Sequence, residues 1–410
     1  MTQPVAHPVT HSVIFVLPEM LPVPAVKGGA VEHWVDEASR RMAAKGGKVG
    51  VVSRPAGEVG NAAGDPAIEY IGIAWTRFEK FCYGMKEKLG RRNPLRQLAK
   101  LQNVFSYGVR AARAVRAMRG YDVAYVHNEP NILLFFAKTP GQRIVLHMHN
   151  DHLSIRLFRP LYRQVLKKVD SVICVSEYIR RQAVAHFPEH AHRFSVALNA
   201  TDPQVFKPYE DAPARAGALQ FEEDKRYLLY VGRLVPIKGV HVLIEAFPEI
   251  LRRHPDVRLV ITGSSFFDGA AQTEYERELV TLAQPVASNI VFTGFLPHET
   301  LKYLYSAVDI VVMPSVWQEP LGLVMLEAMA SGTLLVGSAV GGVPEVIDDG
   351  RNGLLVPAGD AAELARAVCA VLEDPASMQR MAQAGRETIV EKFTWERLMG
   401  EVETAMRLTS

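Results

Sequence analysis

Cysteine is scarce in this 410-residue sequence: Cys82, Cys174 and Cys369 are the only three, and they lie far apart. Two of them sit in apolar strand or helix patterns, where a buried reduced thiol is the ordinary state, so no disulfide framework is expected. Long apolar runs are missing too. Residues 12–17 (SVIFVL) stop at Pro18, with no basic segment before them and no cleavage-like pattern after. That argues against a secretory leader and against a membrane helix of ~20 residues, and a reducing cytoplasm is the expected location. No internal repeat, coiled coil or low-complexity tract stands out, and disorder is expected only in the first ten residues. An overall charge excess is also lacking, at +2.

The charge that is present is unevenly placed. Residues 1–206 hold 28 Lys and Arg against 16 Asp and Glu, a net +12, and the remainder holds 18 against 28, a net −10. Within 75–120 there are 12 basic and 2 acidic residues, interleaved with Trp75, Phe78, Phe81, Tyr83, Phe105 and Tyr107. Basic charge with aromatic anchors makes an anion-seeking surface; a merely solvated basic helix is the alternative. Nucleic-acid binding is not expected, because no recognition motif accompanies the charge.

With 48% hydrophobic and 22% charged residues, near globular averages, the chain can build a core in each half. Its length exceeds one typical domain of ~150 residues. Strand-length apolar runs alternate with helical patterns, which predicts parallel sheets with crossover helices. The first series has strands near 12–17, 48–53, 67–71, 121–127, 143–148, 170–175 and 193–198, with helices near 30–44, 94–119, 159–168 and 176–186. A Pro- and Ala-rich stretch at 208–224 precedes a second series, with strands near 227–232, 257–262, 290–293, 309–313, 333–337 and 353–356. The expected fold class is α/β: two facing Rossmann-like domains with a ligand cleft between them. Residues 1–206 form the first, 207–390 the second, and a helix in 391–410 returns to the first.

In such sheets the residues just past each strand carry the chemistry. After the strand ending at Val231 comes Gly232-Arg233-Leu234-Val235-Pro236-Ile237-Lys238-Gly239. Arg233 can grip two oxygens of a diphosphate and Lys238 can act as a compact point charge, or both are solvated loop residues. After the strand ending at Met313 comes Glu319-Pro320-Leu321-Gly322-Leu323-Val324-Met325-Leu326-Glu327. If a helix begins near Pro320, the N–H groups of Leu321, Gly322 and Leu323 face a phosphate or a sugar hydroxyl. Glu319 then sits at the helix mouth and Glu327 about two turns along; the alternative is a helix cap and a structural ion pair. Pro248 predicts a kink or early end in the helix after Lys238.

Together these segments resemble glycosyltransferase family 4, retaining nucleotide-sugar enzymes of GT-B fold. The resemblance runs along almost the whole chain. Similar to the family are Gly28-Gly29-Ala30-Val31-Glu32, His127-Asn128-Glu129-Pro130-Asn131, His147-Met148-His149-Asn150 and Ser176-Glu177-Tyr178. So are Asn199-Ala200-Thr201-Asp202 with Phe206, Gly263, Gly294, and Gly341-Gly342-Val343-Pro344-Glu345. The resemblance implies that Arg233 and Lys238 hold the donor diphosphate, Glu319 the transferred sugar and Glu327 the ribose. Gly29 would let backbone approach the phosphates or acceptor, and Gly294 and Phe295 would meet the base. His149 would face the reacting side of the sugar. His147, His149 and His152 crowd one turn, and zinc is a competing reading that lacks a matching carboxylate or cysteine pattern; alternation along the strand lets either His147 or His149 face the cleft. The sequence departs from the family at Ala200-Thr201 and at Leu321, without losing a charged group.

No Asp-x-Asp pattern follows a strand, so the expectation is electrostatic, metal-independent catalysis with no cofactor. The donor that the resemblance implies is a nucleotide diphosphate sugar, with a UDP-hexose expected ahead of GDP-mannose. The expected partner is a glycan or lipid-linked acceptor in cell-surface polysaccharide or lipopolysaccharide synthesis, with residues 75–120 expected on an anionic membrane surface. Rival readings are a catalytically silent carbohydrate-binding or coat protein, and a nucleotide-sugar epimerase or hydrolase on the same fold.

Overall fold

A computed structural model describes residues 12–25, 29–55, 64–88, 94–217, 220–264 and 273–407, the stretch 86–101 as backbone only where it falls within these ranges. The chain divides into two compact units. The first contains Met1–Val175, Ile179–Ala197 and Glu401–Ser410, and the second Ser176–Tyr178 and Leu198–Gly400.

The first unit is built from β1 (Val13–Val16), α1 (Ala30–Ala44), β2 (Val49–Ser53), β3 (Ile68–Gly72), α2 (Arg77–Lys88), α3 (Pro94–Ala117), β4 (Val123–His127), β5 (Arg143–Met148), α4 (Arg159–Leu166), β6 (Ser171–Cys174), α5 (Glu177–His186) and β7 (Phe194–Val196). Its strands lie in the order β3-β2-β1-β4-β5-β6-β7, and every neighbouring pair is parallel. Strands covered on both faces read as unbroken apolar runs, and every residue of β1, β2 and β4 is buried. The parallel register sets His127 beside His147.

The second unit follows the same plan with α6 (Ala212–Arg215), β8 (Arg226–Val231), α7 (Val240–Arg253), β9 (Val257–Thr262), α8 (Glu274–Ala283), β10 (Ile290–Gly294), α9 (His298–Ala307), β11 (Ile310–Met313), α10 (Leu323–Ala330), β12 (Leu334–Ser338), β13 (Leu354–Val356), α11 (Ala361–Glu373), α12 (Pro375–Lys392) and α13 (Trp395–Arg407). Its parallel sheet runs β10-β9-β8-β11-β12-β13. Sheet residues Leu228, Ile261, Val312 and Val336 pack with Leu243, Phe247 and Ile250 of α7 and Leu364 and Val368 of α11 in one buried core. The helix starts are chemically marked: Thr273 and Glu276 form a capping box on α8, and Asp360 and Asp374 cap α11 and α12. In each sheet the chain lays two further strands on one side of its first strand and then crosses to the other side, so each has a switch point at the carboxyl ends of two central strands, β1/β4 and β8/β11.

Three local expectations change. Helix α7 runs through Pro248 to Arg253 without the early end. Proline removes one backbone hydrogen bond, but Phe247 and Ile250 on either side are fully buried and hold the last turn in the core. Helix α10 begins at Leu323 rather than near Pro320, because Gly322 is still extended (φ −73°, ψ 133°). Glu327 therefore lies about one turn from the helix start, not two. The basic segment contains a separate helix, α2, ahead of the one expected at 94–119. Among the described residues no helix is long and apolar enough to cross a membrane.

Candidate active site

The loops leaving β8 and β11 are pressed together at the switch point of the second sheet. The N–H of Val316 donates to the Ile237 carbonyl at 3.0 Å. Lys238 ends a short 3-10 turn in the first loop, and its Nζ lies 2.6 Å from Oε2 of Glu319 in the second. Trp317 Nε1 at 3.0 Å and Ser315 Oγ at 3.2 Å donate to the same oxygen. With Oε2 so engaged, Oε1 is the oxygen left to accept from a ligand hydroxyl. Glu319 is 6% exposed, and its backbone is fixed as firmly as its side chain. Gly342 N donates to the Glu319 carbonyl at 2.8 Å. A Cβ on Gly341, which sits at φ 55°, would stand 2.0 Å from that carbonyl oxygen, so the Gly-Gly pair is what lets this loop lie against Glu319. Arg233, by contrast, is exposed at the loop surface, where its carbonyl accepts from Tyr230 Oη at 2.9 Å.

Helix α10 supplies the second carboxylate. Its first free N–H groups are those around Gly322 and Leu323; Leu321 precedes it, buried, with its carbonyl accepting from Asn199 Nδ2 at 3.0 Å. Glu327 is also 6% exposed. His298 Nε2 meets its Oε1 at 2.9 Å, and Tyr305 Oη donates to its Oε2 at 3.0 Å. Burial opposes the charged form of His298, but the Glu327 carboxylate outweighs it and lifts the imidazole pKa above its ordinary value. His298 and Tyr305 lie seven residues apart on α9, hence on one helix face.

The remaining loops line the same edge. Gly232 N donates to Thr262 O, Leu234 N to Ser264 O and Gly263 N to Gly294 O, which stitches the ends of β8, β9 and β10 together. Gly294 has open space where a Cβ would stand, and Phe295 is 48% exposed.

His149 and Gly29 belong to the first unit. His147 is fully buried beneath Trp34, their rings 4.9 Å apart, and its Nδ1 lies 3.0 Å from Tyr125 Oη. His149, just past β5, is partly exposed. Its Nε2 lies 3.0 Å from Nδ1 of His127. Asn128, in a left-handed conformation (φ 55°) that asparagine tolerates, accepts from His149 N through Oδ1 and from His152 Nδ1 through its carbonyl. Burial pushes the His149 pKa down to about 3 and those of His127 and His147 well below the usual range. All three rings are therefore neutral at pH 7. Gly28 lies outside the described residues. Gly29 caps α1 at φ 101°, and the place of its Cβ is taken by the Glu32 carboxyl, 2.1 Å away. Burial raises the Glu32 pKa to about 7.

Sequence reasoning did not find Ser315, Trp317, His298 or Tyr305 as partners of the two glutamates, nor the contact of His127 with His149. For His298 and Tyr305 the signal was the seven-residue spacing; for His127 it was a strand register that no spacing reveals.

Comparison with known proteins places these loops in context. The model of "Glycosyltransferase Family 4" matches residues 28–205 and that of "Glycosyl transferases group 1" matches 213–388. The chain is 32% identical to a putative glycosyltransferase, YtcC, of Bacillus subtilis over 70% of its own length and 73% of the relative's. It is 31% identical to a GDP-mannose-dependent monoacylated phosphatidylinositol monomannoside mannosyltransferase of Corynebacterium glutamicum, over 65% and 70%. Sucrose-phosphate synthase of Thermosynechococcus elongatus superposes with a TM-score of 0.78 at 23% identity, covering 97% of this chain and 98% of that one, and so shares the fold. The two family models fall on the two units, and the chain belongs to the group 1, family 4-type glycosyltransferases of GT-B fold.

Proposed function

We propose that this chain transfers a hexose from a nucleotide diphosphate sugar to a glycan or lipid-linked acceptor, with retention of configuration and with no metal ion needed at the diphosphate. The observation that carries this reading is the 2.6 Å pair of Lys238 and Glu319, held at the carboxyl ends of β8 and β11. A cation and an acceptor oxygen fixed side by side suit a ligand that presents a phosphate next to a hydroxyl. Arg233, on the same loop, is the second cation for the diphosphate. Glu319 Oε1 takes hydroxyls of the transferred sugar, and the N–H groups around Gly322 and Leu323 face the phosphate. Glu327 takes the ribose hydroxyls, Gly294 and Phe295 meet the base through backbone, and Gly29 lies toward the phosphates or acceptor. The acceptor oxygen bonds to the anomeric carbon as the carbon–phosphate oxygen bond breaks on the same face, and the departing phosphate takes the acceptor proton. His149 serves as a neutral hydrogen-bonding group beside the sugar, because an imidazole so depressed carries no charge at pH 7.

The donor is tested by thermal shift against a panel of nucleotide sugars. UDP-hexoses come first and GDP-mannose second, the latter supported by the name of the Corynebacterium relative. A donor at about 100 times its Kd adds about 2.7 kcal/mol to stability, a rise of roughly 5 °C in Tm for domains of this size. Glu327→Ala is expected to lose most of that rise. A panel with no effect on Tm would remove the donor assignment. Product formed only when a sugar acceptor is present separates transfer from epimerisation, hydrolysis or a silent binding role.

The acceptor side rests on α2, which exposes Arg77, Phe78, Lys80 and Phe81, with the two phenylalanines 57% and 65% exposed. Two aromatic anchors among basic residues suit the anionic inner face of a membrane, where a lipid-linked acceptor resides. Co-sedimentation with anionic vesicles at low salt is expected for the intact chain and should fall for Phe78→Ser/Phe81→Ser. Failure to sediment with those vesicles would rule the membrane out.

A further inference from the structure

We propose that His127, His147 and His149 form a binding site for one divalent transition-metal ion of the zinc class, and that an ion there occupies His149 and shuts off transfer. Each of the three residues offers a ring nitrogen, and these nitrogens all lie within 4.8 Å of one another. The backbone itself builds the cluster: His127 and His147 are register partners on adjacent parallel strands, and His149 follows two residues later. One nitrogen pair, His127 Nδ1 and His149 Nε2, already stands at 3.0 Å. Nitrogens bound at 2.0–2.1 Å to a tetrahedral ion stand about 3.3 Å apart, so the gap to be closed lies mainly on the His147 side.

The second observation is chemical. His127 and His147 are fully buried, and the Nε2 atom of each lacks a hydrogen-bond partner. An unsatisfied buried polar atom is destabilising, and two such atoms in neighbouring rings are poorly explained by packing alone. An ion ligated by His127 Nδ1 and His149 Nε2 would satisfy the idle Nε2 of His147 when that ring closes on it. Tyr125 Oη at 3.0 Å from His147 Nδ1 orients that ring as an outer-shell partner would. Three imidazoles with no carboxylate or thiolate select zinc, copper or nickel over magnesium or calcium, and leave a fourth position open. The ion enters past His149, the partly exposed member.

The regulatory half of the proposal rests on His149 serving the sugar, so the test reads binding and activity separately. The full chain, stripped with chelator, is titrated with zinc by calorimetry and with cobalt(II) by the visible absorption of a tetrahedral centre. One ion per chain is expected. His127→Gln and His147→Gln should each weaken binding by about 100-fold or more, and Tyr125→Phe by about 10-fold. His192→Gln, an exposed histidine elsewhere, should leave binding and activity unchanged. If the buried variants fail to fold, His149→Gln, at the partly exposed position, carries the same expectation. Absence of stoichiometric binding, or binding indifferent to these variants, overturns the site. Binding that leaves glycosyl transfer intact overturns the switch while leaving the site standing. Loss of transfer in His149→Gln without metal tests the role of His149 independently.

Discussion

Lys238→Ala is expected to lower kcat by about 10²–10³-fold at saturating donor, the effect of removing one preorganised charge from a site where negative charge develops. The leaving group of the proposed transfer is a nucleoside diphosphate, and Lys238 is the cation that the protein holds in place, 2.6 Å from Glu319 and 5.6 Å from the Trp317 ring centre. Arg233 is exposed and must settle onto the donor, so Arg233→Ala should act more on KM than Lys238→Ala does. Part of the Lys238 effect is structural, because Glu319 is buried and loses one of three donors. Breaking a buried pair costs about 3–5 kcal/mol; with Lys238 22% exposed and two other donors left, the lower end or less is expected. A cycle with Glu319→Gln separates the two contributions: if the pair is only structural, the double variant recovers Tm and kcat together. If transfer fell by less than about tenfold in Lys238→Ala, charge stabilisation by this residue would be refuted.

How far such a site can be read in advance depends on which contacts are local. Unbroken apolar runs such as VIFV and VGVV declared buried parallel strands, because a strand covered on both faces has no polar side to show. Arg233, Lys238 and Glu319 were legible because they occupy strand-to-helix loops, where spacing alone brings a side chain to the sheet edge. The start of α10 was not, since Pro320 suits both an extended turn and a first helical residue, and the packing of Gly341 on Glu319 decides for the turn. The clustering of His127 with His149 depends on the pairing of β4 with β5. Helix α2 could have been found: Thr76 and Glu79 form a capping box, Thr76 N donating to Glu79 Oε2 at 2.8 Å and Glu79 N to Thr76 Oγ1 at 3.0 Å.

That same Glu79 is the site of the second large effect. Glu79 is fully buried, and Arg54 is 2% exposed between the rings of Trp75 and Tyr107, at 3.9 and 4.7 Å. Arg54 donates to the carbonyls of Glu19 at 2.7 Å and Ile73 at 3.0 Å, and to Glu79 Oε1 at 3.4 Å; Arg110 donates to both Glu79 oxygens at 2.6 Å. One carboxylate thus pairs with two guanidinium groups while capping α2. Glu79→Ala strands the buried Arg54 charge and is expected to cost about 3–5 kcal/mol, read as a lower urea midpoint with unchanged m value. Burial pushes the Glu79 carboxyl up, but the Thr76 N–H, Arg54 and Arg110 together bring it below the ordinary 4.5. A carboxyl depressed on folding stabilises fully above its unfolded pKa and loses that contribution as pH falls through its folded value. Wild type should therefore lose stability more steeply than Glu79→Gln as pH drops below about 4.5. Parallel acid-unfolding curves for the two proteins would mean that the Glu79 charge contributes nothing, and that α2 is held by packing alone.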